Sequence, residues 1–260
     1  MWIEFLGGVG SGKSSLATAL RERFQAADFR VWSPQEAFHH QLSQSLPKAI
    51  SHGRPGHAAR RVLLARCEAQ FSVKHPKLVW QAWTASRDLD HLPGWHRNLI
   101  FNLFLEVAGW YEGLSDNLPA KSMVVVDEGL AHRSINLFAW QTGELDTKAV
   151  QSYVESLPEV PLTILVSAPM EVSLERAHNR GLPMRLRGKD LQTIRRFVEN
   201  SHAVASLAGR VLMSKGGIVI KIDNSLELEQ SIAMLHKQIT ETALFQKYFL
   251  QQYQASFGNI

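Results

Sequence analysis

One cysteine, Cys67, occurs in 260 residues. That excludes an intramolecular disulfide and a zinc cluster built on cysteine, and a lone thiol in a reducing compartment reads as a small buried side chain. No apolar run has the length that crosses a bilayer, and the chain opens on a strand-like run instead of a charged-then-apolar leader. These absences lead to the expectation of a soluble, cytoplasmic protein without a membrane partner. Neither sign of charge dominates: 28 Lys and Arg stand against 24 Asp and Glu, a net +4. Such a balance suits small anionic ligands but lacks the dense basic stripe of a nucleic-acid binder, so no nucleic-acid partner is expected. There is also no internal repeat, low-complexity tract or linker. With 45% hydrophobic residues, the expectation is one domain over residues 1–260 with a substantial core.

What the chain does have is concentrated at its start. Gly7-Gly8-Val9-Gly10-Ser11-Gly12-Lys13-Ser14 fits the Walker A pattern G-x-x-x-x-G-K-[ST] at every fixed position. A short apolar run, Met1 to Leu6, precedes it, and Ser15-Leu16-Ala17 opens a helix after it. Glycines let backbone N–H groups turn inward, and the helix N-terminus adds the positive end of a dipole, so the loop is a concave anion site. Lys13 is placed to reach the β- and γ-phosphates of a nucleotide. Ser14 offers a hydroxyl to a bridging Mg²⁺ ion.

Later runs supply the remaining parts. Ser14 to Ala27 reads as a helix with Leu16, Ala19, Leu20 and Phe24 on one face. Phe29 to Trp32 reads as a second strand closed by Ser33-Pro34. Glu36 beyond it is either a base for an acceptor hydroxyl or a first-turn helix carboxylate. Residues Gln35 to Leu118 carry helical periodicity, clearest over Ala58 to Phe71 and Leu99 to Leu114, with turns at His52–Gly56 and Leu92–Gly94. Arg60, Arg61 and Arg66 are there, either solvated or on an anionic substrate, as are Trp80, Trp83, Trp95 and Trp110, either core or pocket lining. Ser122 to Asp127 is a β-branched run ending in an acid, the mark of a buried parallel strand whose carboxylate emerges beside the phosphate loop. Asp127 is the second candidate metal ligand. Glu128 next to it is a base, a solvent-facing acid or a partner of Arg133.

A helix around Leu145 to Ser156 leads to a third apolar run, Pro161 to Ser167. Arg176 and Arg180 then share a helical face. Arg185, Arg187 and Lys189 follow in a basic stretch that is either a lid, which excludes water and neutralises a transferring phosphoryl group, or an ordinary basic surface loop. Leu191 to Leu207 reads as a helix and Gly217 to Ile222 as the last strand, after which Asp223-Asn224-Ser225 is placed to cap a helix from Leu226 to Ile239. Alternating strands and helices predict an α/β class: a three-layer fold with a parallel sheet of about five strands flanked by helices. The aromatic stretch Phe245 to Phe257 either packs back or joins two copies in a homodimer.

In the order of these parts the chain resembles P-loop nucleotide kinases, most nearly the thymidylate-kinase-like group, over somewhat more than half its length. The resemblance is strongest from Val124 through Leu174-Glu175-Arg176 and Arg180 to Arg187. It implies transfer of the γ-phosphoryl of ATP, with Mg²⁺, to a small acceptor. The triphosphate then lies on Gly7 to Ser14 and Ser15, the metal near Ser14 and Asp127, and the catalytic set is Lys13, Asp127, Glu128, Arg176, Arg180 and Arg185. Arg180 also contacts the nucleotide. The residues after the last strand lie near the purine, the helical region 35–118 holds the acceptor, and a lid lies near 180–190. Two departures stand out: the acidic strand end reads Asp127-Glu128 where these kinases carry Asp-Arg, and no arginine occurs between Arg97 and Arg133. A phosphate acceptor would lack two partners there, whereas a hydroxyl acceptor needs a carboxylate within reach. The competing class is a P-loop ATPase that acts as a partner-binding switch without a small-molecule acceptor. A GTPase is disfavoured because no N-K-x-D sequence occurs.

Overall fold

The computed structural model describes residues 1–45, 53–115, 118, 122–181, 186–225 and 227–250. Its centre is a five-stranded parallel sheet in the order β2-β3-β1-β4-β5, formed by β1 (Trp2–Gly7), β2 (Arg30–Trp32), β3 (Ser122–Val126), β4 (Leu162–Ser167) and β5 (Ile218–Asp223). The α/β expectation therefore holds. The register pairs Glu4 with Val126 on one side and with Thr163 on the other, so β1 and its phosphate loop lie mid-sheet.

Alternation along β1 divides two cores. Ile3 and Phe5, with Met123 and Val125 of β3, face α1 (Lys13–Ala26) and α10 (Leu228–Thr240), where Leu16, Leu20, Phe24, Ile232, Leu235 and Ile239 complete an apolar layer. Trp2 and Leu6, with Val124 and Val126, face the opposite layer. That layer comprises α2 (Pro34–Ser45), α3 (Gly53–Lys74), α4 (Pro76–Arg87), α5 (Gly94–Leu114), α6 (Leu130–Phe138), α7 (Thr147–Glu155) and α9 (Leu191–Ser214); α8 (Met170–Asn179) follows β4. Each fully buried Phe, Leu or Ile here contributes about 1.5–3 kcal/mol, which makes the layers the main source of stability. No described helix is long and apolar enough to cross a membrane.

Local chemistry sets the helix starts. Asp146 and Asp190 cap α7 and α9, accepting from Ala149 N and Thr193 N. Pro76 opens α4, where its missing N–H costs nothing. The cap expected from Asp223-Asn224-Ser225 is not formed: α10 starts after Glu227 with no side-chain cap, because Asn224 turns back onto the phosphate loop and Asp223 bonds Ser225 N. Helix α6 has no counterpart among the sequence expectations. All nine of its residues are buried, yet His132, Arg133 and Asn136 form a polar face opposite Leu130, Ala131, Ile135, Leu137 and Phe138, so the periodicity is present in the sequence and was missed. Of the aromatic C-terminal stretch, Phe245 and Phe249 pack onto Phe24 and Phe29; residues 251–257 lie outside the described residues.

Candidate functional site

Every strand of a parallel sheet delivers its carboxyl end to the same edge, where ligands bind in open α/β folds. At the end of β1 the phosphate loop turns through Gly10 (φ 78°) and Gly12 (φ 86°), both left-handed. A Cβ at Gly10 would overlap the Ser173 carbonyl, and one at Gly12 would overlap the Asn224 amide. Three side chains from two elements, α9 and the turn after β5, hold the loop. Ser201 Oγ accepts from Val9 N at 2.9 Å, His202 Nε2 lies 3.2 Å from Val9 O, and Asn224 Nδ2 donates to Ser11 O at 2.8 Å. His202 also packs against Gly8. Burial and the nearby Lys13 charge lower the His202 pKa, so the neutral ring is favoured.

Lys13 is the first residue of α1 and is buried. Desolvation pulls its pKa down, Glu128 and Asp127 oppose that, and Arg180 and Arg133 add to it. An anionic ligand would supply the counter-charge it lacks, because among the described residues it forms no ion pair. Arg176 Nη2 donates to Asn224 O at 3.1 Å, while its buried Nη1 has no partner and lies near Gly12. Arg180 is exposed at the end of the same helix.

Three cavities run in sequence around the loop. The first, ≈ 540 Å³, is bounded by Gly10, Gly12, Ser15, Arg176, Arg180 and the turn after β5, including Asn224, Ser225 and Glu227. It shares Gly10, Gly12, Ser15 and Arg180 with the second, ≈ 100 Å³, whose walls also include Lys13, Ser14, Glu128, His132 and Asn136. The second shares Ser14 and Glu128 with the third, ≈ 420 Å³, enclosed by α1, the end of β2, α5 and the turn after β3. On α5 the lining residues Leu103, Glu106 and Trp110 form one stripe, three and four residues apart.

In this third cavity both arginines are already paired. Arg21 bonds Glu36 at 2.6 Å and Arg133 bonds Glu128 at 3.0 Å. Glu36 does not line the cavity. It also accepts from Ser33 N at 2.6 Å, so the first-turn carboxylate reading is the correct one and the base reading is withdrawn. Glu128 lies 3.6 Å from His132 Nε2 as well. Asp127 Oδ1 is buried without a partner. It shares the third cavity with Ser14. Among the described residues no group of three His, Cys, Asp or Glu could hold a metal alone, but Mg²⁺ commonly uses one or two carboxylates plus phosphate oxygens, and an unpartnered Asp127 oxygen beside Ser14 fits that demand.

Arg185 falls outside the described residues, as do Leu182 to Met184. At the end of that stretch Leu186 is buried, and Lys189 lines a separate ≈ 250 Å³ cavity with Trp140, Arg196 and Phe197. Arg60, Arg61 and Arg66 line none of the three cavities, and Trp80 and Trp95 are exposed. Sequence reasoning missed Glu4, His132, Asn136, Ser201 and His202. Glu4 did carry a signal: it is a charged residue at the inward position between Trp2 and Leu6. The others reach the loop only through tertiary packing.

No family model and no curated protein matches the chain. Solved structures of a deoxyadenosine kinase from M. mycoides align with 93% of this chain and 100% of theirs: with bound dATP at 9% identity and TM-score 0.49, with bound dCTP at 9% and 0.48, and with products dCMP and a flexible dCDP at 12% and 0.44.

Proposed function

We propose that the chain is a P-loop phosphotransferase that moves the γ-phosphoryl group of ATP to a hydroxyl of a small acceptor. The observation that carries this reading is the shared wall of Ser14 and Glu128 between the ≈ 100 Å³ phosphate-side cavity and the ≈ 420 Å³ cavity beyond it. A group on that wall can touch both the phosphoryl group and the attacking atom, which in-line transfer requires.

The nucleoside end of the donor lies in the ≈ 540 Å³ cavity, against Asn224 and Ser225. The phosphates lie on the backbone of Gly10 to Ser15 with Lys13 at the β- and γ-groups. Ser14 and Asp127 would hold Mg²⁺, which when bound neutralises and aligns the phosphate oxygens. Glu128, its rotamer fixed by Arg133, takes the proton from the acceptor hydroxyl as that oxygen attacks the γ-phosphorus. The bond from phosphorus to the β–γ bridging oxygen breaks, ADP leaves, and Lys13 with Arg176 and Arg180 stabilises the charge that develops. A basic lid near 180–190, Arg185 included, completes this arrangement.

The acceptor is a hydroxyl compound because the third cavity has no cation to spare. Both of its arginines are neutralised, and the acids left without an ion-pair partner among the described residues are Asp127 and Glu106. A phosphate placed there would meet like charge. Incubation with γ-labelled ATP, Mg²⁺ and pools of nucleosides, sugars and their phosphate esters tests the reading. Label should transfer to a hydroxyl-bearing compound, and transfer should fail in Lys13→Ala. Hydrolysis across all pools with no labelled acceptor would point to the ATPase class instead.

A further inference from the structure

A carboxylate stands where the fold calls for an apolar side chain. Glu4 is fully buried on the core face of the central strand. Its Oε1 accepts from His132 N at 2.9 Å, the N–H groups of Ala131 and Leu130 also point at it, and Oε2 has no partner. Gly129 packs so closely that a Cβ there would overlap the Glu4 carboxyl. The charged or titratable groups facing it are Arg133 from α6 and Tyr153 from α7, whose hydroxyl donates to Leu130 O at 3.0 Å. Its strand neighbours Val126 and Thr163 carry no charge. Burying an anion without a salt bridge is costly, so the contact has to be accounted for by something other than stability.

We propose that Glu4 is a positioning residue: its carboxyl group fastens the first turn of α6 to β1 and so keeps the Asp127-Glu128 turn in place beside the phosphate loop that begins three residues beyond Glu4. The geometry gives it that leverage. Gly129 separates the acidic pair from the helix start, and the N–H groups of residues 130–132, which have no partner within the helix, converge on that one carboxyl group. One strand thereby sets both the loop and the acids across from it. The consequence for catalysis rests on the roles proposed above for Asp127 and Glu128; the anchor itself does not.

Burial raises the Glu4 pKa from 4.5 to about 7, against the opposing effect of the N–H groups and Arg133. The hold of Glu4 on α6 is therefore firmest while the carboxyl is neutral and loosens as pH rises through about 7 and the buried group ionises. Amide hydrogen exchange of the peptide covering residues 128–133 at about pH 6 and about pH 8 reads the anchor directly, after correction for intrinsic rates. In the wild type, protection should fall about tenfold between the two conditions, because opening exposes Glu4 to water, where it ionises freely. Glu4→Gln should show no such fall and remain at the wild-type value for low pH, and Glu4→Leu should be less protected than either. Alongside it, the gain in affinity for a non-hydrolysable ATP analogue on adding Mg²⁺ should be about tenfold larger in Glu4→Gln than in the wild type at about pH 8, with metal-free affinity unchanged.

A pH-dependent fall that persists in Glu4→Gln, or a rise in the wild type, overturns the anchor. Exchange that responds while the Mg²⁺ gain does not makes the contact merely structural and overturns the positioning role. If Glu4→Leu fails to fold, Glu4→Gln decides alone. If the wild type binds no nucleotide, the function proposed above fails, while the exchange data still judge the anchor.

Discussion

The two flanks of Ser14 manage charge in opposite ways. On the donor flank, among the described residues, Lys13 and Arg180 form no ion pair and Arg176 keeps a buried Nη1 unsatisfied. On the acceptor flank each arginine is already spent on a carboxylate, Arg21 on Glu36 and Arg133 on Glu128. Unpaired cations in a partly buried site are costly unless an anion arrives, so the donor flank is built for a polyanion. The acceptor flank instead retains acids able to accept hydrogen bonds. The difference teaches that which charges are already neutralised, more than how many there are, decides what each flank can take.

The comparison breaks most severely at Lys13. Lys13→Ala should lower turnover by about three orders of magnitude, measured as labelled product, with the fold intact by circular dichroism. Glu4 tests the strand from which both flanks are hung. Its folded pKa of about 7 lies above the unfolded 4.5, so its contribution to stability is full below about pH 4.5 and is lost as pH rises to about 7, a change of about 3 kcal/mol. Denaturant titrations of Glu4→Gln and the wild type should diverge across that window, with the wild type losing ground as pH rises. At the seam, Glu128→Gln should lower kcat about a hundredfold and leave the KM for ATP within about twofold; an equal fall in nucleotide affinity would place Glu128 on the donor flank. Arg176→Ala should cost about tenfold in kcat/KM. The smallest effect sharpens the contrast: Glu36→Gln frees Arg21 and should tighten binding of a phosphate ester of the acceptor by about threefold, since the pair is exposed and screened.

Much of this organisation was legible before any coordinates. Fixed spacing identified Gly7 to Ser14, and runs such as Val124-Val125-Val126 read as buried parallel strands because nothing polar interrupts them. Arg176, Asp127 and Glu128 came with that frame. Distance across the fold hid the rest. Asn224 looks like a helix cap in one dimension and is a brace for Ser11 in three. Glu36 stands at a strand end, as a base should, yet turns to Arg21. His132 and Asn136, four apart, lie on the polar face of an amphipathic helix, but only tertiary packing turns that face to the phosphate loop.

The hydrogen-bonded neighbours β2 and β3 form one end of the sheet, and the whole excursion from Pro34 to Leu114 departs from one and returns to the other. Strand β1 meets that excursion on its apolar side, where Trp2 packs edge-on against Tyr111. A library varied over the α5 stripe of Leu103, Glu106 and Trp110 therefore reshapes the third cavity while the phosphate loop and the turn after β5 stay constant.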